Sequence, residues 1–125
     1  PGEVFAKSDI VSLHIPLTAE TKGIVNRQLL ERMKLNAVLV NTARKEVVNE
    51  NDLLIMMAER PGLVYATDVK PDADAEFVNG FADRYFATPK KMGAQTAEAN
   101  INAGIAAARQ IVAYLRDGNE EFRVN

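Results

Sequence analysis

Residues 37–69 read "AVLVNTARKEVVNENDLLIMMAERPGLVYATDV" and decide the fold. Apolar runs open and close the stretch, and each predicts a short, buried strand. Between them lies a helical pattern that Asn49 or Asn51 can cap and that Pro61 and Gly62 end. A strand, a helix and a second strand in this order predict a βαβ unit.

The same alternation continues on both sides of this unit. Strands are predicted in "DIVSLH" at residues 9–14 and in "RYFAT" at residues 84–88, and helices in residues 26–33 and 96–116. Residues 70–83 show no clear period, and we predict an irregular loop there. The chain is therefore predicted to be an α/β protein with a parallel sheet and flanking helices.

Composition argues against several classes of function. The 125 residues carry a net charge of −2, unlike the basic surfaces of nucleic-acid-binding proteins. The absence of cysteine and the single histidine exclude disulfides, thiol catalysis and a metal site built from several histidines. No apolar run approaches the roughly 18 residues that a membrane span needs. We expect a cytoplasmic protein that binds neither nucleic acid nor membrane.

Charged side chains follow the predicted strands. His14, Arg44 and Asp68 come at the ends of the first three strands, and Lys90 and Lys91 follow the fourth. Ligands of open parallel sheets bind beyond the carboxyl ends of the strands. Since cations outnumber carboxylates at these ends, the sequence predicts a site for a small acid.

Four motifs, taken in order, resemble one protein family. They are "SDIVSLHIPLTAETKGIVN" (8–26), "MKLNAVLVNTARKEVVNENDL" (33–53), "YATDV" (65–69) and "ATPKKMGAQTAEAN" (87–100). The set is similar to the C-terminal part of the NAD-binding domain of the D-isomer-specific 2-hydroxyacid dehydrogenases, and most similar to their phosphoglycerate dehydrogenase branch. The resemblance implies a partial Rossmann-like sheet, NAD as cofactor, a small anionic 2-hydroxy or 2-keto acid as substrate, and a homodimer formed through the NAD-binding domain.

The glycine-rich GxGxxG loop and the ribose-binding acid of that family are not found in this sequence. We therefore expect residues 1–125 to be the C-terminal part of an NAD-binding domain within a longer protein. Residues 113–125 are expected to return toward a separate substrate domain. By themselves, residues 1–125 are expected neither to bind NAD tightly nor to turn over substrate.

The resemblance implies that Arg44 binds the carboxylate of the acid. A guanidinium is a planar fork that holds a carboxylate through two parallel hydrogen bonds, which orients the carbon that exchanges hydride. A lysine would supply charge without that orientation. The alternative is an arginine that covers surface or bridges a subunit contact.

Lys90 stands where most of the family has its catalytic histidine. The resemblance implies that Lys90 exchanges the proton of the substrate oxygen, with Lys91 as electrostatic support. The alternative is that these lysines are solvated or attract a substrate phosphate. An ordinary lysine has a pKa of about 10.4. Acting as a base therefore requires burial, Lys91 and Arg44 to lower the pKa of Lys90.

The third catalytic residue of the family is a glutamate, and Ala73 occupies its position here. Asp72 and Asp74 flank that position, and Asp72 is the candidate we name as a substitute. The alternative is that the role is gone, because a lysine has no tautomer to be fixed, and that both carboxylates have structural roles.

The resemblance also places residues from all four strand ends against the cofactor. Asp68 would accept a hydrogen bond from the nicotinamide carboxamide. We assign no catalytic role to His14, since a lone histidine at a strand end is more often a packed, hydrogen-bonded group. The predicted cofactor contacts are Ile15, Thr42, Ala43, Arg44, Asp68, Lys90 and Gly93.

The leading functional hypothesis is an NAD-dependent dehydrogenase that oxidises 3-phosphoglycerate to 3-phosphohydroxypyruvate for serine biosynthesis. One alternative within the family is a glyoxylate or hydroxypyruvate reductase. Another is a non-catalytic, NAD-sensing module like the co-repressors of the family. No metal site is predicted.

Overall fold

The computed structural model describes residues 1–89 and 96–122. The chain divides into two compact units, Pro1–Lys91 and Met92–Asn125. The described part of the first unit contains a parallel sheet with its connecting helices, and that of the second contains one long helix.

The first unit is a sheet of four parallel strands that are neighbours in chain order. The strands are β1 Ile10–Leu13, β2 Val38–Asn41, β3 Val64–Thr67 and β4 Tyr85–Ala87. The helices are α1 Gly2–Lys7, α2 Arg27–Leu30, α3 Glu50–Glu59 and α4 Asp74–Phe81, with a 3₁₀ turn at Lys45–Val47. All four predicted strands are present, and α2 and α3 confirm the predicted helices between them.

Asparagine side chains begin both of the confirmed helices. The Asn26 side chain accepts a hydrogen bond from the backbone N–H of Leu29 at 3.3 Å, and that of Asn49 accepts from Asp52 at 3.2 Å. Each bond satisfies one of the N–H groups that the first turn of a helix leaves unpaired. Of the two caps that the sequence allowed for α3, Asn49 is the one used.

Helix α4 corrects the prediction of an irregular loop at residues 70–83. The cap position, Ala73, has no side-chain hydrogen bond of its own. The carboxylate of Glu50, on α3, instead accepts from the N–H groups of Asp72 and Ala73 at 3.1 and 2.8 Å. Phe77 is fully buried on the inner side of α4. The group that binds the start of this helix is distant in sequence, and the local signal was limited to the acidic Asp74 and Glu76 in the first turn. The short helix α1, which buries Phe5, was also not predicted.

The core lies between one face of the sheet and the helices. Along β2 and β3, buried residues alternate with half-buried ones, which differs from the continuous burial expected of the apolar runs. Right-handed crossovers between successive neighbouring strands place their helices on one face of a sheet. Within residues 1–89, the side chains of the other face include the exposed Ile10 and Phe86.

The second unit contains α5, Ala97–Asp117, and confirms the helix predicted over residues 96–116. The Thr96 side chain accepts from the N–H of Ala99 at 3.1 Å, and Gly118 ends the helix with a positive φ of 64°. None of the helices in the described ranges has the length and hydropathy of a membrane span.

Candidate active site at the carboxyl edge of the sheet

The four strands end side by side. The register pairs Leu13 with Asn41, Asn41 with Thr67 and Thr67 with Ala87. The next residues along the chain, His14, Thr42, Asp68 and Thr88, therefore follow at the same edge. This arrangement places the four strand ends along one edge of the sheet, the edge at which ligands of open parallel sheets bind.

A cleft of about 500 Å³ opens beyond the ends of β1 and β2. Its size lies within the range typical of ligand sites. Four of its lining residues were predicted as site residues from the sequence: Ile15, Thr42, Ala43 and Arg44. Pro16, Leu17 and Glu46 also line it. The sequence reasoning missed Glu46, although its position two residues after Arg44 is a signal for the same loop.

The Asn41 side chain binds the backbone of the turn that carries Arg44. The Asn41 side-chain amide donates to the backbone carbonyl of Arg44 at 3.1 Å, and its oxygen accepts from the N–H of Ala43 at 3.0 Å. Asn41 is only 1% exposed. The backbone of this turn is therefore anchored to a buried group. An asparagine following an apolar strand run was the available signal, and its anchoring role was not predicted.

Asp68 is tied to the next strand end. The Thr88 hydroxyl lies 3.0 Å from the backbone carbonyl of Asp68 and 3.1 Å from its carboxylate, and can donate to either. The backbone N–H of Asp68 donates to the carbonyl of Asn41 at 2.9 Å. Asp68 is only 9% exposed. Among the described residues, it belongs to the carboxyl edge but not to the lining of the cleft.

His14 lies between two hydroxyl groups. Its Nε2 is 2.8 Å from the Ser12 hydroxyl and its Nδ1 is 3.4 Å from that of Thr42. Its side chain is exposed. A hydrogen-bonded ring at a strand end is consistent with assigning it no catalytic role.

Asp72 lies outside the cleft lining and forms an ion pair with Lys45. The hydrogen bond to Asp72 raises the pKa of Lys45 above its usual value. The Asp72 carboxylate is 80% exposed in spite of this contact. The structure thus places the candidate substitute for the family glutamate against the residue that follows Arg44.

Asp74, the first residue of α4, contacts Lys70 in the preceding loop and Tyr85 on β4. Its carboxylate accepts from Lys70 at 2.8 Å and from the Tyr85 hydroxyl at 2.6 Å. The hydrogen bond from Lys70, and to a smaller extent that from Tyr85, holds the pKa of Asp74 below its usual value. Burial and the bond to Asp74 raise the pKa of Tyr85. These contacts favour a structural role for Asp74.

Three residues named from the sequence, Lys90, Lys91 and Gly93, lie outside the described residues. Their roles stay predictions. Within residues 1–89 and 96–122, no group of three or more His, Cys, Asp or Glu side chains is arranged to hold a metal ion.

Comparison with known proteins gives the chain its relatives. Residues 1–89 match the family described as "D-isomer specific 2-hydroxyacid dehydrogenase, NAD binding domain". A D-3-phosphoglycerate dehydrogenase of Methanocaldococcus jannaschii is 35% identical over 99% of this chain and 24% of the relative. A hydroxypyruvate reductase of Thermotoga maritima is 37% identical over 86% of this chain and 36% of the relative.

A solved structure of a related enzyme also resembles this chain. The NAD⁺-bound 3-phosphoglycerate dehydrogenase of Entamoeba histolytica superimposes with a TM-score of 0.81 at 46% identity. The match covers 99% of this chain and 41% of that structure. In these three comparisons, the chain spans between a quarter and two fifths of the relative's length.

Proposed function

Because the chain belongs to the D-isomer-specific 2-hydroxyacid dehydrogenase family, through its NAD-binding domain, we propose that it forms part of an NAD-dependent oxidoreductase. The gene product that contains residues 1–125 would oxidise 3-phosphoglycerate to 3-phosphohydroxypyruvate, a step toward serine. The observation that carries this proposal is Arg44, which lines the cleft at the carboxyl edge beside Thr42 and Ala43. Likeness to proteins named as 3-phosphoglycerate dehydrogenases supports the choice of substrate.

The residues of this edge are suited to a nicotinamide cofactor. Ile15 and Ala43 offer half-buried apolar surface, and Thr42 offers a hydroxyl. The nearby Asp68 carboxylate is an acceptor for an amide NH₂ group. NAD, when bound, supplies the hydride acceptor for oxidation of the alcohol. What this chain contributes is a surface for the cofactor and charged groups for the substrate.

Arg44 would bind and orient the substrate carboxylate. Its backbone carbonyl is fixed by Asn41 and also accepts from the N–H of Val47 at 3.3 Å. A fixed backbone limits the directions in which the guanidinium can reach. Orientation of this kind lowers the barrier to a bimolecular step, because the reacting carbon is already placed.

Lys90 would take the hydroxyl proton during oxidation and return it during reduction. In its protonated form it can donate to a keto oxygen without any change in pKa. For oxidation it must be neutral, and lowering the pKa of a lysine by about 3 units costs the charged form about 4 kcal/mol. The positive charge of Arg44 would act in that direction if the two groups share a pocket.

Glu46 supports a second candidate function, the reduction of glyoxylate or hydroxypyruvate. The Glu46 carboxylate lines the same cleft as Arg44, so the charges of the described lining residues sum to zero. A substrate with an additional phosphate would meet that carboxylate unless other cations offset it. The likeness to a hydroxypyruvate reductase agrees with this alternative.

Steady-state assays distinguish the candidates. The gene product is assayed with 3-phosphoglycerate and NAD, and separately with glyoxylate or hydroxypyruvate and NADH. A higher kcat/KM for 3-phosphoglycerate supports the first proposal, and the reverse order supports the second. If NAD binds but neither substrate pair is turned over, both proposals are wrong, which is the outcome expected of a non-catalytic NAD-binding module.

Arg44 is tested in the same assay. Two charge-assisted hydrogen bonds of about 1.5–3 kcal/mol each correspond to a loss of about 10²–10⁴ in kcat/KM for Arg44→Met. Arg44→Lys should recover only part of this, since charge returns without the fork. Arg32→Met, at an exposed arginine that does not line the cleft, is the matched control. An unchanged kcat/KM in Arg44→Met would remove Arg44 from the site.

A further inference from the structure

Two polar side chains are buried at the carboxyl ends of the central strands. Asn41, on β2, is 1% exposed, and Thr67, on β3, is 4% exposed. Burial of polar groups is unfavourable unless each finds a hydrogen-bond partner. Among the described residues, no buried side-chain nitrogen or oxygen lacks one. The partners of Asn41 and Thr67 therefore show what these side chains hold in place.

The hydrogen bonds of these two side chains run to backbone beyond the strand ends. Asn41 binds the N–H of Ala43 and the carbonyl of Arg44. The Thr67 hydroxyl lies 2.8 Å from the carbonyl of Val69, to which it can donate, and accepts from the N–H of Val69 at 3.2 Å. Asn41 thus fixes the turn after β2, and Thr67 fixes the turn after β3.

Thr67 joins the ends of the two central strands. Its hydroxyl lies 3.2 Å from the backbone carbonyl of Asn41, and the backbone N–H of the next residue, Asp68, donates to the same carbonyl at 2.9 Å. With these contacts, the side chains of Asn41 and Thr67 connect the turn after β2 to the turn after β3.

We propose that Asn41 and Thr67 are positioning residues, which hold the Arg44 turn and the turn after Asp68 in fixed register. This inference rests on the proposed role of Arg44 in binding the substrate carboxylate. The two residues do not contact the cleft themselves, and they act on the substrate through the backbone that carries Arg44. Polar groups in this part of the core fix one conformation of the turn, which apolar side chains of similar size would not.

Kinetic constants of the gene product test the proposal. Thr67→Val removes one hydroxyl with little change in volume, and should raise KM for the hydroxy acid about 3- to 10-fold. Asn41→Leu should raise the acid KM more than Thr67→Val does. If Asn41→Leu does not fold, Thr67→Val carries the test.

Tyr85→Phe is the matched control. Like Thr67, Tyr85 carries a hydroxyl on a buried side chain, but that hydroxyl donates to Asp74 and not to either turn. Its removal should lower the melting temperature and leave the acid KM unchanged. If Tyr85→Phe raises the acid KM as much as Thr67→Val does, Asn41 and Thr67 have only a general structural role and the proposal is wrong.

A double-mutant cycle separates this inference from the proposed function. If Asn41 and Thr67 act through Arg44, Thr67→Val should have no further effect on the acid KM in an Arg44→Met background. Equal effects of Thr67→Val with and without Arg44 would overturn the positioning role and leave the role of Arg44 intact. If Arg44→Met itself leaves the acid KM unchanged, the proposed function of the site fails first.

Discussion

Arg84 is expected to be one of the largest single side-chain contributions to the stability of the first unit. Its guanidinium donates to three backbone carbonyls, of Met57 at 2.6 Å, Arg60 at 3.0 Å and Leu63 at 3.2 Å. These carbonyls lie at the end of α3 and in the turn that leads to β3. The guanidinium also lies 4.7 Å from the ring centre of Phe81. Arg84, which directly precedes β4, therefore binds the C-terminal part of α3 and packs against the last residue of α4.

The magnitude follows from these contacts. A hydrogen bond to a charged group contributes about 1.5–3 kcal/mol. The three bonds share one half-buried side chain, and some of the released carbonyls can turn to water, so their sum overestimates the effect. We expect Arg84→Met to lower the free energy of unfolding by about 2–4 kcal/mol. For a unit of this size, that corresponds to about 10 °C or more in melting temperature.

Urea denaturation followed by circular dichroism measures this change. Arg84→Met should shift the midpoint and leave the slope with denaturant unchanged, because the surface exposed on unfolding is nearly the same. Arg84→Lys should recover little, since one ammonium cannot reach all three carbonyls. Arg32→Met should change the free energy by less than about 0.5 kcal/mol. A loss below about 1 kcal/mol in Arg84→Met would refute the reasoning.

Two further changes test other contacts of the first unit. A Cβ on Gly62 would lie 1.9 Å from the side-chain oxygen of Asn36 and 2.9 Å from the backbone carbonyl of Leu35. Gly62→Ala should therefore lower the free energy of unfolding by about 1–3 kcal/mol in the same denaturation assay. An unchanged free energy would mean that the turn at Leu35 moves freely. Lys70 and Tyr85 depress the pKa of Asp74, so its stabilising effect is present above the usual aspartate pKa and is lost as pH falls below about 4. Asp74→Asn should therefore flatten the acid limb of unfolding free energy against pH, and an unchanged limb would contradict the assigned hydrogen bonds.

Local patterns in the sequence predicted much of the fold. Apolar runs gave the four strands, and asparagine caps with Pro61 and Gly62 gave the limits of α3. These signals are local, because an apolar run and an asparagine cap are each formed by residues close in the chain. Helix α4 was missed because Glu50 supplies its capping carboxylate from another helix.

The candidate site was predictable in part for the same reason. Strand order placed Thr42, Ala43 and Arg44 beside Ile15 in one cleft, and the resemblance supplied their proposed roles. The pairing of Asp72 with Lys45 depends on how the loop after β3 lies, which the sequence pattern does not encode. The anchoring of the Arg44 turn by buried polar groups is likewise visible only from the hydrogen bonds.

We propose that Lys90 exchanges the hydroxyl proton of a substrate whose carboxylate is bound by Arg44. The most direct test is the pH dependence of kcat/KM for oxidation by the gene product and its Lys90→His and Lys90→Met variants. We expect Lys90→Met to lose about 10²-fold or more. Lys90→His should keep more activity than Lys90→Met. The limb of its plot of kcat/KM against pH should move toward the pKa of imidazole, about 6.5. An unchanged rate and an unchanged profile in Lys90→Met would contradict the claim.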